Sequence, residues 1–256
     1  MLRDLAVGYA VTLGLVVARL AAFVFTSPFP GQGVPRTQRV GLVVVLAIVV
    51  MSTREPLPRF LDAGLLAPLV IGEVAIGVLI GLVFRMALMV VDVAGELTSL
   101  SLGLGAATLF NPALGAQETA LSRVFSTFAL LLAITMGAHR VVIQILLGTF
   151  EALPIGAGAH PAAAGPLLVE MVGGALTLGL RMALPVVAVA LAIQAGLALV
   201  ARVAPSLQVF NVGFAVLIGA GLLVLAASAQ DMMRPLVDHL GGLPARLDRV
   251  LTEIAP

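Results

Sequence analysis

Long apolar segments separated by short loops rich in proline and glycine dominate this chain of 256 residues. Continuous apolar runs of this kind are typical of helices that are surrounded by lipid or by other apolar helices. The pattern predicts about six hydrophobic segments: Leu5–Phe25, Val40–Met51, Ala63–Val93, Val124–Leu147, Leu167–Val203 and Leu207–Ala229.

These segments indicate an all-α membrane protein, organised as a single helical domain over residues 1–256 with an amphipathic C-terminal tail at 231–256. Their lengths do not suit a plain bundle, because a helix needs about 20 apolar residues to cross a bilayer. Val40–Met51 is too short, whereas Ala63–Val93 and Leu167–Val203 are too long. Pro185 interrupts the last of these, so we expect long kinked helices and helical hairpins.

The composition supports the membrane assignment. Hydrophobic residues make up 61% of the chain and charged residues 11%, against about 45–50% and about 25% in soluble domains. The formal net charge of +1 gives no reason to expect a nucleic acid partner. Tryptophan is absent and Tyr9 is the only tyrosine, so the usual aromatic belts at the membrane surfaces are missing. This indicates helices that pack largely against partner protein.

Ionisable residues interrupt the apolar segments and are candidates for buried polar pairs. Arg85 and Asp92 are seven residues apart, and Glu170 and Arg181 are eleven apart, which places each pair close to one helical face. Glu96 follows Asp92 by about one turn, and these like charges need a cation, water or a helix N-terminus nearby. Pairing within or between subunits is favoured over an ion or proton relay, because no pump-type chain of Asp, Glu and His is present.

Enzyme motifs are missing from the chain. Gly103-Leu-Gly105 resembles half of a dinucleotide loop but lacks the third glycine and the preceding strand. Cysteine is absent and the three histidines are scattered, without the spacing of metal ligands. We therefore expect no enzymatic activity, no cofactor and no metal.

Small residues at four-residue spacing predict places where helices approach closely. Gly77 with Gly81, and Gly173 with Thr177, follow this spacing. We interpret them as packing positions.

The stretch Gly95–Pro112 is the most informative part of the chain. It carries one carboxylate, four hydroxyl groups, three glycines and a closing Asn-Pro within very apolar surroundings. Polar groups in such surroundings must be satisfied by protein or by water. The stretch is therefore predicted to be a lining or a moving part.

Four motifs together resemble one family. They are the Gly95–Pro112 stretch, a first loop and second helix at Pro28–Leu42, the turn Leu153-Pro-Ile-Gly156, and a C-terminal signature at Met182–Phe214. In this order they resemble the FliR family of flagellar export-gate proteins, with the homologous SctT-like subunit of injectisomes as a close alternative. Ala215 departs from the family, which often has proline after Gly-Phe.

The resemblance implies a non-enzymatic subunit of the flagellar type III protein export gate, in the bacterial inner membrane at the base of the flagellum. It implies FliP-like, FliQ-like and FlhB-like partners, and unfolded exported proteins as substrates. Family members contribute a loop that helps to plug the closed pore, which by similarity falls at about residues 106–121. The pore and plug residues so implied are Gly103, Gly105, Phe110, Asn111, Pro112 and Gly115.

Two other functions stay open at this point. A secondary transporter or proton-conducting protein is supported by the interrupted helices and the charged pairs, and opposed by the lack of clear inverted repeats. A purely structural scaffold is the third alternative, and it predicts that substitutions in the loop leave export and ion leak unchanged.

Overall fold

The computed structural model describes residues 2–31, 33–53, 63–104, 119–156, 160–203 and 209–255, and these are almost entirely helical. A short 3-10 helix, Pro161–Ala164, directly precedes the sixth α-helix. The described residues thus confirm the predicted all-α fold. The α-helices are α1 (Leu2–Thr26), α2 (Arg36–Thr53), α3 (Ala63–Ser101), α4 (Ala120–Thr135), α5 (Ala138–Ala152), α6 (Gly165–Val203), α7 (Val209–Gly241) and α8 (Leu243–Ile254).

The helices are long and apolar enough for a membrane protein. Within the described ranges, five of them could each cross a bilayer, or six if the bent pair of α4 and α5 forms one crossing. This agrees with the six predicted segments. The helix α2 extends beyond Val40–Met51 at both ends and has 18 residues, so the expectation that this segment is too short for a crossing was wrong.

The helix bounds decide between the two alternatives for the segment around Pro185, a kinked long helix or a helical hairpin, and they place the start of the C-terminal tail. The long segment around Pro185 is one helix of 39 residues and not a helical hairpin. The predicted tail at 231–256 begins inside α7, which continues to Gly241, and only α8 is a separate helix.

The predicted segment Val124–Leu147 divides into α4 and α5, which meet at an angle of 66°. Gly137 lies at the break with a φ of 75°, a left-handed conformation that glycine adopts without steric cost. Its backbone N–H donates to the carbonyl oxygen of Ile134 at 3.0 Å. The glycine therefore ends α4 and lets the chain change direction.

The residues group into two compact units. Unit 1 comprises Met1–Ala87, Ala133–Val172 and Gly241–Pro256, and unit 2 comprises Leu88–Leu132 and Gly173–Leu240. Large buried side chains of unit 1 include Leu20, Phe23, Phe84, Leu146 and Leu247. Unit 2 buries Leu102, Val186, Ala190 and Leu217 together. The helices α3 and α6 contribute residues to both units, and the single-domain organisation stays a prediction.

The C-terminal helix α8 closes part of unit 1. Its apolar residues Leu243, Leu247, Val250 and Ile254 recur every three or four positions and are buried, as expected for one face of an amphipathic helix. The carbonyl oxygen of Ile254 accepts a hydrogen bond of 3.1 Å from the backbone N–H of His160. The helix thereby fixes the chain just before the 3-10 helix.

Candidate functional site: the anchors of the predicted plug loop and a buried ion pair

The loop predicted to plug the pore begins where α3 ends, and this end has a well-defined cap. Gly103 has a φ of 76°, its N–H donates to Leu100 O at 3.0 Å, and Leu104 N–H donates to Ser99 O at 3.0 Å. These two bonds around a left-handed glycine form a Schellman motif, which satisfies carbonyl groups at a helix C-terminus. Gly103 therefore has a structural role as the residue that stops α3.

The cap is held by a small apolar cluster in unit 2. Leu102 is fully buried against Val186, Ala190 and Leu217, and Leu104 packs against the same cluster. Gly221 of α7 leaves space for Leu102, because a Cβ atom there would overlap the leucine side chain. The entry to the predicted loop is thus fixed by side-chain packing as well as by backbone hydrogen bonds.

The other end of the loop is capped at the start of α4. The hydroxyl of Thr119 accepts a hydrogen bond of 3.2 Å from Ser122 N–H, which is the geometry of a helix N-cap. Gly95 of α3 lies against this first turn, since a Cβ atom there would be 3.1 Å from Ser122 Cα and 3.0 Å from Phe125 Cβ. The two ends of the predicted loop are therefore anchored on adjoining helices of unit 2.

Most of the residues implied for the plug lie outside the described residues. These are Gly105, Phe110, Asn111, Pro112 and Gly115. Gly103 is the one that the structure places. The role of all six in a pore stays a prediction.

Hydroxyl groups near the end of α3 are buried in an apolar setting. Ser101 Oγ donates to Thr98 O at 2.8 Å, which fulfils the expectation that a hydroxyl here satisfies the backbone. Thr98 and Ser99 are fully buried, and their hydroxyls have no hydrogen-bond partner among the described residues. On α6, Gln194 Nε2 donates to Ser101 O at 3.0 Å, so a polar side chain from another helix also binds this end.

The candidate polar residues of α3 are largely exposed within this chain. Arg85 and Asp92 are exposed and Glu96 is half-buried. Asp92 Oδ1 accepts a hydrogen bond of 2.5 Å from the hydroxyl of Ser126. Arg85 and Asp92 form no ion pair with each other. A buried pair of these two residues is therefore not observed within the chain, and pairing through other subunits stays a prediction.

The second candidate pair is also not formed as predicted. Glu170 lies 3.8 Å from Arg249 of α8 and not next to Arg181, and both partners of this contact are largely exposed. Arg181 is exposed as well. Helical spacing alone suggested Glu170 with Arg181, but α8 folds back and provides a different cation.

The buried ion pair of unit 1 joins two residues that the sequence did not connect. Arg19 Nε donates to Glu73 Oε2 at 2.6 Å, and the two side chains are 0% and 3% exposed. Arg19 also donates to Thr149 Oγ1 and to the carbonyl oxygen of Leu153, each at 3.1 Å. Its guanidinium lies 4.2 Å from the ring centre of Phe150, a cation–π contact.

Glu73 extends the same network to the turn that begins at Leu153. Its Oε1 accepts a hydrogen bond of 3.2 Å from the backbone N–H of Gly156, so the Leu153-Pro-Ile-Gly156 turn is bound at both ends. The charge of Arg19 at the C-terminal end of α5 also suits the helix dipole. The sequence signal for this pair was that Arg19 and Glu73 each interrupt an apolar segment, and the second of these segments also carries Arg85 and Asp92.

Close approach of α1 and α3 brings the pair together. A Cβ atom on Gly77 would overlap the carbonyl oxygen of Arg19, and one on Gly81 would lie 3.0 Å from Thr26 Cβ. The predicted packing role of Gly77 and Gly81 is confirmed. Since Glu73 is one helical turn before Gly77 on the same face, the glycines place its carboxylate beside Arg19.

A metal site has no support in the part of the chain that the structure describes, since no three His, Asp or Glu side chains there could share an ion. His139 instead stacks on Phe29, with ring centres 5.7 Å apart. His139 lies in the first turn of α5.

Comparison with known proteins identifies the family. Residues 10–243 match a family model described as bacterial export proteins, family 1. The flagellar biosynthetic protein FliR of Escherichia coli K12 is 30% identical over 227 residues, covering 87% of this chain and 85% of that protein. The chain belongs to the FliR family.

Other FliR proteins agree with this result. The one from Pectobacterium carotovorum is 32% identical, covering 87% of this chain and 85% of the relative. The one from Caulobacter vibrioides is 31% identical, covering 86% of this chain and 89% of the relative. With its apolar helices, this member of the FliR family is a membrane protein and a component of the flagellar export apparatus.

Proposed function

We propose that the chain is a non-enzymatic subunit of the gate of flagellar type III protein export. It would form the translocation pore in the bacterial inner membrane together with FliP-like, FliQ-like and FlhB-like proteins, and unfolded proteins would pass through that pore. Membership of the FliR family supports the export role. The energy for transport would come from other components.

The observation that carries the proposal is the exposed apolar surface of α6. Within Pro161–Val203, only 17% of the residues of an apolar stretch of 18 are buried within the chain. The side chains of Val169 and Val203 are 73% and 85% exposed. At about 1.5 Å per residue they are separated by about 50 Å along the helix. The hydrocarbon core of a bilayer is only about 30 Å thick. A single lipid layer of this thickness would leave part of the exposed surface uncovered, which supports contact with partner proteins.

The plug is the second part of the proposal. The loop at about residues 106–121 would block the closed channel, with Phe110 supplying apolar bulk and Pro112 fixing the turn after Asn111. Gly105 and Gly115 would give the backbone freedom to move. The caps at Gly103 and Thr119 support this role, because they give the loop two fixed ends.

Ion leak through the assembled gate tests the plug. We expect deletion of Asn111–Gln117 to raise the conductance of the complex reconstituted in a planar bilayer. Replacement of the same seven residues by glycine and serine serves as a control for length, and Phe110→Ala tests apolar bulk separately. Unchanged conductance for all three variants would contradict the plug but leave the gate role intact.

Co-purification tests the gate role itself. We expect the tagged chain to be isolated from native membranes together with two smaller, very apolar helical proteins. Solute uptake by the purified single chain, with no such partners, would instead support a secondary transporter.

A further inference from the structure

The last turn of α3 is bound by the part of α6 that follows Pro185. A helix ends with four carbonyl groups that have no partner within the helix. In α3, three of these groups accept hydrogen bonds from the backbone N–H groups of residues 102–104. The fourth, Ser101 O, accepts a hydrogen bond of 3.0 Å from Gln194 Nε2 of α6. A side chain of another helix therefore completes the end of α3.

Gln194 is an unexpected residue type for its position in α6. It is the only polar side chain in the run of 16 residues from Val186 to Ala201. An amide group in apolar surroundings costs free energy unless it is hydrogen-bonded, and between membrane helices such a bond holds the two helices together. The bond to Ser101 O satisfies the donor group of this amide.

Apolar contacts bind the end of α3 to the same part of α6. Leu102 is buried against Val186 and Ala190, which both follow the proline in α6. The helix α7 packs on this part of α6 as well, since a Cβ atom on Gly213 would lie 2.7 Å from Leu197 Cδ1. The end of α3 thus rests on the second part of α6, which α7 supports.

The part of α6 before Pro185 contacts α3 at a different place. A Cβ atom on Gly179 would lie 2.7 Å from Val90 O, and Val90 is about 17 Å from Ser101 along α3. Pro185 lies between the two contacts and has no N–H to donate to the carbonyl oxygen of Arg181, so α6 bends most easily here. A change in this bend moves the second part of α6 while the first part stays on Val90.

We infer that Gln194 is a positioning residue of the gate, which transmits a change in the bend of α6 to the last turn of α3 and so sets where the predicted plug loop begins. This inference rests on the proposed plug function. The packing of Leu102 is non-directional, whereas a hydrogen bond restricts both distance and angle. Gln194 is therefore the group that fixes the orientation of the helix end on α6.

Loss of the donor group tests the inference. Gln194→Met keeps the length of the side chain but cannot donate to Ser101 O. In the whole complex, reconstituted in a planar bilayer, we expect this variant to raise the resting conductance by about two- to tenfold, the range that corresponds to one hydrogen bond. Gln194→Lys retains a donor and should stay closer to wild type. Gln144→Met is the matched control, because Gln144 is also an exposed glutamine in an apolar helix, α5 of unit 1, and should leave the conductance unchanged.

Covalent coupling should replace the hydrogen bond. The chain contains no cysteine, so the double variant Ser101→Cys with Gln194→Cys has two thiols of its own. In a complex whose other subunits lack cysteine, we expect this variant to leak like Gln194→Met. A short, reducible bifunctional thiol reagent should return its conductance to the wild-type level and leave the two single variants unchanged. A merely structural role of Gln194 does not predict this rescue, because the cross-link restores the position of the helix end and not the hydrogen bond.

Amide hydrogen exchange at Leu104 reports on the end of α3 directly, because Leu104 N–H donates to Ser99 O. We expect this exchange to be faster in the complex with Gln194→Met than in the complex with Gln144→Met. Equal exchange in the two complexes would count against the inference.

The outcomes separate the two proposals. If deletion of Asn111–Gln117 leaves the conductance unchanged, the proposed plug fails, together with the inference that rests on it. If the deletion raises the conductance while Gln194→Met and the uncross-linked double variant do not, the plug stands and the inference about Gln194 is wrong. A cross-link that leaves the leak of the double variant unchanged also overturns the inference. If Gln194→Met does not accumulate in membranes, the double variant, purified in its cross-linked form and then reduced, decides the question.

Discussion

Arg19 and Glu73 are 54 positions apart in the chain, yet their side chains form an ion pair of 2.6 Å that is almost completely buried. Because both side chains are buried, water cannot solvate one charge if the other is removed. Each charge therefore depends on the other for its neutralisation. Through the bonds from Arg19 to Thr149 and Leu153, the pair also binds the end of α5 to α1 and α3.

We predict that Glu73→Gln strongly destabilises the protein. The substitution leaves the charge of Arg19 buried without a counter-charge, which costs about 3–5 kcal/mol in comparable cases. The measurement is the free energy of unfolding in mixed micelles titrated with SDS. The matched control is Glu170→Gln, which removes an exposed contact with Arg249 and should cost less than about 1 kcal/mol. Equal losses for the two variants would contradict the role of the buried pair.

Replacing both charges should be milder than replacing one. The double variant Arg19→Met with Glu73→Leu removes the pair without leaving a lone charge, and such exchanges are often close to neutral. We expect its unfolding free energy to exceed that of Glu73→Gln. A double variant that is less stable than Glu73→Gln would show that other bonds of the network, such as those to Thr149 and Leu153, dominate.

Gly77→Ala should destabilise the contact between α1 and α3. The new methyl group overlaps the carbonyl oxygen of Arg19, and overpacking of this kind costs about 1–3 kcal/mol. Gly148→Ala is the control, because Gly148 is also helical but has no atom within 4 Å of the added Cβ. Alanine there should be neutral or stabilising by up to about 1 kcal/mol. The same SDS titration compares the two variants.

Gly103→Ala should weaken the cap of α3. An alanine at a φ of 76° is disfavoured by about 1–2 kcal/mol, and its Cβ would lie 3.0 Å from Phe214 Cε2. Gly196→Ala, in a helix with open space around it, is the control. Faster amide hydrogen exchange at Leu104 in the Gly103→Ala protein alone is the expected result, and unchanged exchange there would count against the cap.

The packing of α8 can be tested with a buried and an exposed position. Leu247→Ala removes a fully buried side chain and should cost about 2–5 kcal/mol. Thr252→Ala changes an exposed residue of the same helix and should stay within about 0.5 kcal/mol. Limited proteolysis near the C-terminus measures the difference. Similar cleavage rates for both variants would show that α8 contributes little to unit 1.

The helical elements followed largely from local sequence. Apolar runs predicted the six segments because the main requirement of a membrane helix is a sufficient number of consecutive apolar residues. Their ends were less predictable. The helix α7 passes through the polar residues after Ala229 to Gly241, and polarity alone had placed the boundary earlier. Gly103 and Gly137 stop helices through left-handed conformations, which the sequence permits but does not require.

The pairing of polar residues depended on the tertiary structure. Spacing along one helix suggested Arg85 with Asp92 and Glu170 with Arg181, yet the contacts formed are Asp92 with Ser126 and Glu170 with Arg249. Spacing within one helix records which residues share a face. It does not record which other helix packs there, and so the partner of a charged residue cannot be read from it.

The sequence by itself determined the class of protein, the helical segments and the family, because these depend on apolar content and on short motifs. Only the tertiary structure decided that Arg19 is neutralised by Glu73, that Gly77 makes this approach sterically feasible, and that Arg181 is left exposed. Each of these depends on which helices lie side by side, and that is fixed by the packing of many side chains at once and not by any single segment.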